Sequence, residues 1–586
     1  MPVYHSNMLE AHADWRPRAA PEELVARLEQ ELALNHLAAR LLVTRGVTTP
    51  ERAEGFLTKR LQDLHKPELL QGMEAAANRF AAAINNRERI LVHGDFDVDG
   101  STAATLLKQF CQACGHDALA WIPHRVTDGY GLTEASVEAV REHQAQLMVT
   151  VDCGITDGGL AKRIEQELNC AVIVTDHHLP GDQLPECTAV VNPNQPGCTY
   201  PDKGLAGVGV AWKLCWATAK VLCGSDRISD RLRDFMLDAL ALVALGTVAD
   251  CAPLDQENRI LVHHGLRKLL ESSNPGLRAL LSQARIDSTI SADDIGWRIG
   301  PLLNASGRLA SATRNIDLLT ATSADEADGI LAEIVRDNDE RRRLTQILTD
   351  DLLTEVQGNQ RYLQRSSLVF SGDSWHPGII GIVASRLVEE FGKPSCVIAV
   401  EDGIGRGSLR TIPGVHLANA IEACSDLLIK GGGHAAAAGL TISAENIPAF
   451  SEAFEHHITT TNRGSLDRPA IEHDGVVSIR ELDSDFYAIL ETLGPFGAAN
   501  PEPVFHLPGV SFVTRPEVFG RGGDHLRGAV TDPGGGMKQI FCWRSRDRIE
   551  ALQRPGSRFE ILVKPEINHW RGEAQQRLVL IDGRSA

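Results

Sequence analysis

No stretch of this sequence stays apolar long enough to cross a bilayer as a helix. The longest apolar run, around residues 239 to 249, falls short of the roughly 18 residues a span requires. The opening residues, MPVYHSNMLEAHADWRP, lack the basic and then apolar order of a secretory signal, so a cytoplasmic protein with no membrane partner is expected. Positive charge is short as well: 58 Lys and Arg stand against 77 Asp and Glu, a net −19. That balance argues against a chain that coats nucleic acid through bulk electrostatics, and it leaves room for a local basic groove. The twelve cysteines are scattered, several in apolar runs (Cys215, Cys223, Cys396) as buried thiols are. Their one close pair, Cys111 and Cys114, has no second CxxC or CxxH to complete a zinc site. HExxH and GxxxxGK[ST] are both missing, which removes zinc peptidase and P-loop chemistry. Aromatics are only 5% of the chain. Spacing alone therefore assigns no stacking platform.

What the chain has is length for several domains and a clear alternation. At 586 residues it exceeds any single core, and three or four domains are expected. Residues 22 to 57 carry a helical pattern. Strand-like runs then alternate with helix-like ones: ERILVHG, a helix to Cys114, LMVTVD, a helix near 159 to 168, and AVIVTD. This is the sequence form of βαβ units in a parallel sheet, whose ligands bind beyond the carboxyl ends of the strands. Acids at residues 95 to 99, at Asp152 and at Asp176 each follow such an end, so three acidic clusters converge on one edge. Residues 235 to 249 predict one buried helix, apolar around its circumference, with Asp250 straight after it. From Ser323 to about residue 357 a long helix is predicted, opened by a Ser323/Glu326 capping box, with Ile330, Ile334, Leu344, Ile347, Leu348 and Leu352 on its apolar side. It would be about 50 Å long, and its polar middle, RDNDERRR, suits a bridge between domains. Alternation resumes with SSLVFSG, a helix near 379 to 391 and SCVIAVEDGIGRGSLR. From about residue 468 the chain turns to short β-like runs separated by Gly, Pro and Asp, as in a small barrel or sandwich. In this tail, from His506 onward, Lys and Arg outnumber Asp and Glu.

The stretch HGDFDVDG, 93 to 100, places aspartates on alternate residues. A calcium loop would need Glu at its twelfth position, which is Leu106, and a helix before it; neither is present. A solvated acidic turn is weakened by the number of like charges that converge unless cations neutralise them. His93, Asp97, Asp99, Asp152, His177 and Asp250 offer the imidazole and carboxylate mixture that binds Mn²⁺ or Mg²⁺. Two such cations support in-line displacement at phosphorus, so phosphoester hydrolysis leads. Gly431-Gly432-Gly433-His434 taken alone reads as a flexible turn, although successive N–H groups there would also make an anion nest near Ser408 and Arg410. In GPLLNASGRL, 300 to 309, Gly307 serves a turn or Arg308 faces an anion; the sequence leaves both open.

Taken together, HGDFDVDG, Asp152, the triplet Asp176-His177-His178 and GTVAD ending in Asp250 resemble the DHH phosphoesterases. GRGSLR followed by GGGHAAAAG is similar to that family's accessory domain, DHHA1. Within the family, NASGRL, the bridging helix, WHPGIIGIVASR and GPFGAANPEPVF resemble the RecJ branch of bacterial single-strand-specific 5′→3′ DNA exonucleases, over roughly residues 45 to 586. The resemblance implies an α/β fold: a parallel-sheet DHH domain (46–320) and a second α/β domain, DHHA1 (361–465), joined by a long helix (321–360), then a C-terminal OB-fold barrel (466–586), with residues 1–45 as a helical appendage. It implies that His93, Asp97, Asp99, Asp152, His177 and Asp250 hold two divalent cations, Mn²⁺ or Mg²⁺, with Asp152 shared. Asp95 and His178 would act beside them as catalytic groups. Asn304, Arg308, Arg386, Ser408, Arg410, Gly432, Gly433 and His434 would hold the 5′ end and adjacent phosphates. The implied reaction releases 5′-mononucleotides from single-stranded DNA in recombination and repair, by a monomer working with a single-strand-binding protein and a helicase. Two other readings stand beside it. A DHH-type phosphodiesterase of short oligonucleotides, cyclic dinucleotides or pyrophosphate would use the same cations but leave NASGRL and the last domain without a role. A binding scaffold would not need the full ligand set.

Overall fold

The strands predicted after residue 89 pair in parallel. In the computed structural model, described over residues 14–125, 127–461, 470–520, 522–543, 545, 557–570 and 573–586, they form one five-stranded sheet. Across it run Ala118–Trp121, Ile90–Gly94, Leu147–Val151, Ala171–Thr175 and Ala189–Val191. Ile90–Gly94 and Leu147–Val151 are buried on both faces, which is why their apolar residues run unbroken instead of alternating. The chain leaves Ile90–Gly94 for one edge of the sheet and returns on its other side at Leu147–Val151. Such a reversal of strand order opens a crevice at the carboxyl ends. The buried helix predicted over 235 to 249 is two helices, Asp230–Asp238 and Leu240–Ala249, that meet at Ala239; the second is buried nearly throughout, and Asp250 caps it.

The bridging helix spans Ala324–Gly358, with Ser323 Oγ accepting from the Glu326 N–H at 3.3 Å. Its ends belong to different cores. Ala327, Leu331 and Ile334 pack with the first domain, Leu348, Leu352 and Val356 with the second. Ile347, predicted on the apolar side, is 48% exposed, because the buried stripe of the second half runs through Thr345, Leu348, Thr349 and Leu352 instead. Beyond the helix a mixed sheet orders Leu368–Asp373, Ser395–Glu401, Ile404–Arg410, Ala437–Ser443 and Lys430–Gly433. The glycines read as a flexible turn therefore lie on a strand. Close approach explains them: a Cβ on Gly431 would stand 2.7 Å from Ile421 and Leu428, and one on Gly433, at φ +152°, 2.5 Å from the Ala437 carbonyl.

In the last domain Phe505–Phe512 pairs with Phe559–Trp570 on one side and with His525–Thr531 on the other, which closes the sheet into a barrel. Met537–Cys542 and Glu573–Ser585 complete the ring with a parallel contact. The N-terminal helices do not stand apart from it. Val25, Leu28, Leu41 and Leu42 share one core with Phe486, Phe505, Leu507 and Val563, and strand Trp15–Pro17 pairs in parallel with Ile471–His473. An amphipathic period shows that a helix has an apolar face, not what covers it. The expected boundary near 465 lies outside the described residues.

Candidate active site

The acidic clusters meet at the sheet's carboxyl edge, beside the reversal of strand order. Immediately after Ile90–Gly94 the chain turns through residues 95–97 into helix Val98–Ala113, which Asp97 caps by accepting from the Gly100 N–H at 3.0 Å. The turn is tight: a Cβ on Gly100 would lie 2.5 Å from the Asp95 nitrogen. Asp99, fully buried, accepts from the N–H groups of Gly207 (2.8 Å) and Val208 (2.9 Å) at the start of helix Gly207–Cys223, so a helix N-terminus holds its charge in place. Asp152 follows the next strand at φ 61°, a left-handed conformation that side chains disfavour, and a Cβ on Gly207 would stand 2.5 Å from its Oδ1. The backbone is bent to aim this carboxylate.

Three sets of ligand atoms converge within 4.8 Å: Asp95, Asp97 and Asp152; Asp99, His177 and Asp250; and Asp152, His177 and His178. His177 Nε2 lies 3.1 Å from Asp152 Oδ1, 3.9 Å from Asp250 and 4.0 Å from Asp99. Among the described residues, buried Asp95 Oδ1, Asp152 Oδ1 and His177 Nε2 make no hydrogen bond, although the last two approach to 3.1 Å. Polar atoms left so in a low dielectric are costly, and several bear like charge. Burial, then neighbouring carboxylates, push Asp95, Asp99 and Asp152 well above the usual carboxylate range, and burial with Asp97 lifts Asp250 to about 7 against the charge of His178. Burial, helped by His178, lowers His177 to about 4, which keeps it a neutral donor ligand. Oxygen and imidazole donors, unpartnered and converging, fit divalent cations of the Mn²⁺ and Mg²⁺ type.

Among the described residues His93 joins none of these sets: its Nε2 meets Ser136 Oγ at 2.9 Å and its Nδ1 meets Cys153 Sγ at 3.5 Å, whereas Asp95, expected beside the cations, lies in one of them. Asp176 is an orienting group. Its Oδ1 accepts from the His177 and His178 N–H groups and from His178 Nδ1 (2.8 Å), and its Oδ2 from the Ile155 N–H. Burial works to lower His178, but the hydrogen bond and charge of Asp176 outweigh it and raise its pKa to about 9. His178 is thereby a cation facing the carboxylates.

Across the crevice the charges change sign. Arg308, on helix Gly300–Leu309, donates to the Gly378 carbonyl at 3.2 Å. Burial and the guanidinium groups of Arg125, Arg341 and Arg410 press its pKa down to about 9, against the pull of Asp97. Arg410 Nη1 donates to Ser408 Oγ at 3.1 Å, and a Cβ on Gly381 would stand 2.9 Å from that hydroxyl. Arg125 stacks over Phe96 at 4.6 Å. Among the described residues none of these four arginines forms an ion pair with a carboxylate. Gly307 settles the ambiguity of NASGRL: it lies inside the helix, where a Cβ would meet the Phe96 carbonyl at 2.3 Å, so its smallness seats Arg308 against the acidic loop. Asn304 stands one turn before Arg308. Arg386 is exposed on helix Ile380–Phe391, close enough to Arg341 to lower its pKa. Gly432, Gly433 and His434 are exposed on a hairpin two strands from Ser408. Arg125, Arg341 and Tyr130, whose hydroxyl lies 3.3 Å from His178, are absent from the expected set. Two positional cues pointed to them: Arg125 and Tyr130 follow the end of Ala118–Trp121 at the same sheet edge, and Arg341 lies in the helix's polar waist.

Three family models match this chain: the DHH family N-terminal domain over residues 89–247, the DHHA1 domain over 363–460 and the RecJ OB domain over 473–582. It is 34% identical over 580 residues to the single-stranded-DNA-specific exonuclease RecJ of Bacillus subtilis, covering 98% of this chain and 71% of that one. The chain belongs to the RecJ family. With the RecJ of Escherichia coli it shares 35% identity over 556 residues, 93% of this chain and 95% of the relative. The crystal structure of Thermus thermophilus RecJ in complex with Mn²⁺ superposes with a TM-score of 0.79 at 30% identity, over 98% of this chain and 80% of that one; the Mg²⁺ complex gives 0.74. The RecJ OB match begins at residue 473, and strand Ile471–His473, to which the N-terminal strand pairs, ends there.

Proposed function

We propose that this protein is a metal-dependent exonuclease that degrades single-stranded DNA from the 5′ end to 5′-mononucleotides, in recombination and repair. The observation that carries this reading is the juxtaposition, across one crevice, of converging carboxylate and imidazole donors with arginines that have no carboxylate partner among the described residues. One side suits two divalent cations and the other a phosphate chain. Mn²⁺ or Mg²⁺, when bound, supplies activated water and neutralises charge at phosphorus. Asp95, Asp97 and Asp152 would hold one cation and Asp99, Asp152, His177 and Asp250 the other. His178, cationic and anchored by Asp176, donates a hydrogen bond to a phosphate oxygen. Arg308, Arg410 and Ser408 grip the terminal phosphates, with Asn304, Arg386, Gly432, Gly433 and His434 along the same face. The net charge of −19 makes DNA affinity local and salt-dependent, which favours delivery by a single-strand-binding protein and a helicase to a monomeric, cytoplasmic enzyme.

The test is nucleotide release from oligonucleotides blocked at one end, with Mn²⁺, Mg²⁺ or chelator, beside duplex and dinucleotide controls. Metal-dependent mononucleotides that vanish only on blocking the 5′ end are expected. Cleavage confined to dinucleotides would overturn the substrate, and cleavage that persists in chelator would overturn the metals.

The barrel supplies a base platform. Of the aromatics in this domain, Phe559 is in the core, and the side chain of Trp570 lies outside the described residues. Phe541 and Trp543 alternate with the buried Ile540 and Cys542, so they face outward and join Phe519 and His525 in a cluster with ring centroids 5.0 to 6.2 Å apart. Arg577, its guanidinium held by Glu566 at 3.0 Å, lies over Phe541 at 4.5 Å and backs the patch. Trp543→Ala is expected to weaken binding of a long single strand by about 1–3 kcal/mol, the size of one stacked base. Turnover of a dinucleotide, which cannot reach the barrel, should be unchanged, and equal loss on both substrates would refute the platform.

A further inference from the structure

The largest fully buried side chain is Arg259, 1% exposed, on helix Gln256–Glu271 of the first domain. Its guanidinium lies 3.7 Å from the Phe56 ring centroid and donates to the carbonyls of Phe56 (3.0 Å), Thr492 (3.3 Å), Gly494 (2.9 Å) and Pro495 (3.2 Å). Every one of these acceptors belongs to the body built from the N-terminal helices and the barrel. The same body makes a second contact, where the Leu254 N–H donates to the Ala498 carbonyl at 2.7 Å. Both contacts involve GPFGAANP, residues 494–501, a stretch to which neither the cations nor the DNA path gives a role.

That loop is held rigidly on its own side. Asn500, fully buried, donates to the Leu493 (3.0 Å) and Pro495 (2.7 Å) carbonyls, and its Oδ1 accepts from Arg45 Nε (2.8 Å) of the N-terminal helices. On the other side, residues 250–255 form the turn between Leu240–Ala249 and Gln256–Glu271, and the loop grips it at Leu254 and Arg259. Cys251, next to Asp250, has φ 58°, so the turn holds a conformation that side chains disfavour and needs outside restraint. We propose that the 494–500 loop, through Arg259 and the Leu254–Ala498 bond, positions the turn that presents Asp250, so the barrel body sets the geometry of the cation site to which Asp250 belongs. The inference rests on the reading of Asp250 as a cation ligand. Arg259 is a positioning residue acting through that turn.

The test reads Mn²⁺ binding directly, from the electron paramagnetic resonance of the free ion, in the full chain. Arg259→Gln is expected to weaken one of two bound ions about tenfold or more, as loss of a group that orients a ligand does, while the other ion is retained. Arg259→Lys, which keeps the charge but loses the planar fork, should recover part of the loss. Unchanged binding of both ions in a cooperatively folding Arg259→Gln, or equal weakening of both, overturns the proposal. If that variant does not fold, Gly497→Ala replaces it, since its methyl would stand 2.7 Å from Leu254 Cδ1; the same two outcomes support or overturn the idea. Because no DNA is involved, a protein that binds Mn²⁺ in this pattern but cleaves nothing contradicts the exonuclease reading and leaves the positioning intact. A parent chain that binds no Mn²⁺ overturns both.

Discussion

Asp152→Ala is expected to lower nucleotide release by at least about a thousandfold, since each factor of ten takes about 1.4 kcal/mol and cation stabilisation of a phosphoryl transition state is worth several. Asp152 is the carboxylate common to the set with Asp95 and Asp97 and to the set with His177 and His178, so under the proposed assignment its loss would strip a ligand from both cations. No neighbour can substitute. The carboxylate is aimed by a left-handed backbone and packed against Gly207, and its oxygen is buried without a protein partner. Thermal stability should move the other way. Without cations, Asp152 is a buried acid among like charges, and burial first, then Asp99, Asp97 and Asp95, raises its pKa. Removing it relieves that repulsion, so the metal-free variant is expected to melt no lower than the parent. The rise in Tm that Mn²⁺ gives the parent should largely disappear. Single-turnover release and melting with and without Mn²⁺ measure both effects; release within tenfold of the parent would sink the shared-ligand model.

How far such a site is legible in sequence depends on which interaction fixes each residue. Asp97, Asp99, Asp152 and His177 follow from what lies beyond the carboxyl ends of apolar strands, Asp250 from the end of an apolar helix, and the structure brings all five into the three sets. His93 is different because it is still inside its buried strand, before the chain turns, and its ring is captured by Ser136 and Cys153 from elements that periodicity does not connect to it. Asp95 gains its place by the same turn. The glycines of residues 431–433 look like a turn from composition, whereas antiparallel pairing with Ala438–Leu440 makes them a strand. The N-terminal helices are legible as helices, but their partners lie more than four hundred residues away, as the hydrogen bond from Arg45 to Asn500 shows. Arg125 and Arg341 carry no motif, and their position at a sheet edge and in a helix waist gains meaning only where a loop, that waist and a second domain bring their charges to Arg308.

This arginine cluster gives the second large effect. Arg308→Ala is expected to cost about ten- to a hundredfold in kcat/KM on a 5′-phosphorylated strand, since a hydrogen bond to a charged group is worth about 1.5–3 kcal/mol. A 5′-hydroxyl strand, which offers no terminal phosphate to grip, should lose much less, so the parent's preference for the phosphorylated end collapses. Fold stability should not fall with it. Arg308 has no carboxylate partner among the described residues, and Arg125, Arg341 and Arg410 repel it more than Asp97 attracts it. Relief of that repulsion offsets the lost bond to the Gly378 carbonyl. Arg308→Lys restores charge without the two-pronged geometry and should recover only part of the rate. Arg410→Ala, which also frees Ser408 Oγ, should show the same end-specific loss. Comparing kcat/KM for the two 5′ ends across these variants tests the assignment: equal loss on both ends would move these arginines from the terminal phosphate to the general path of the strand.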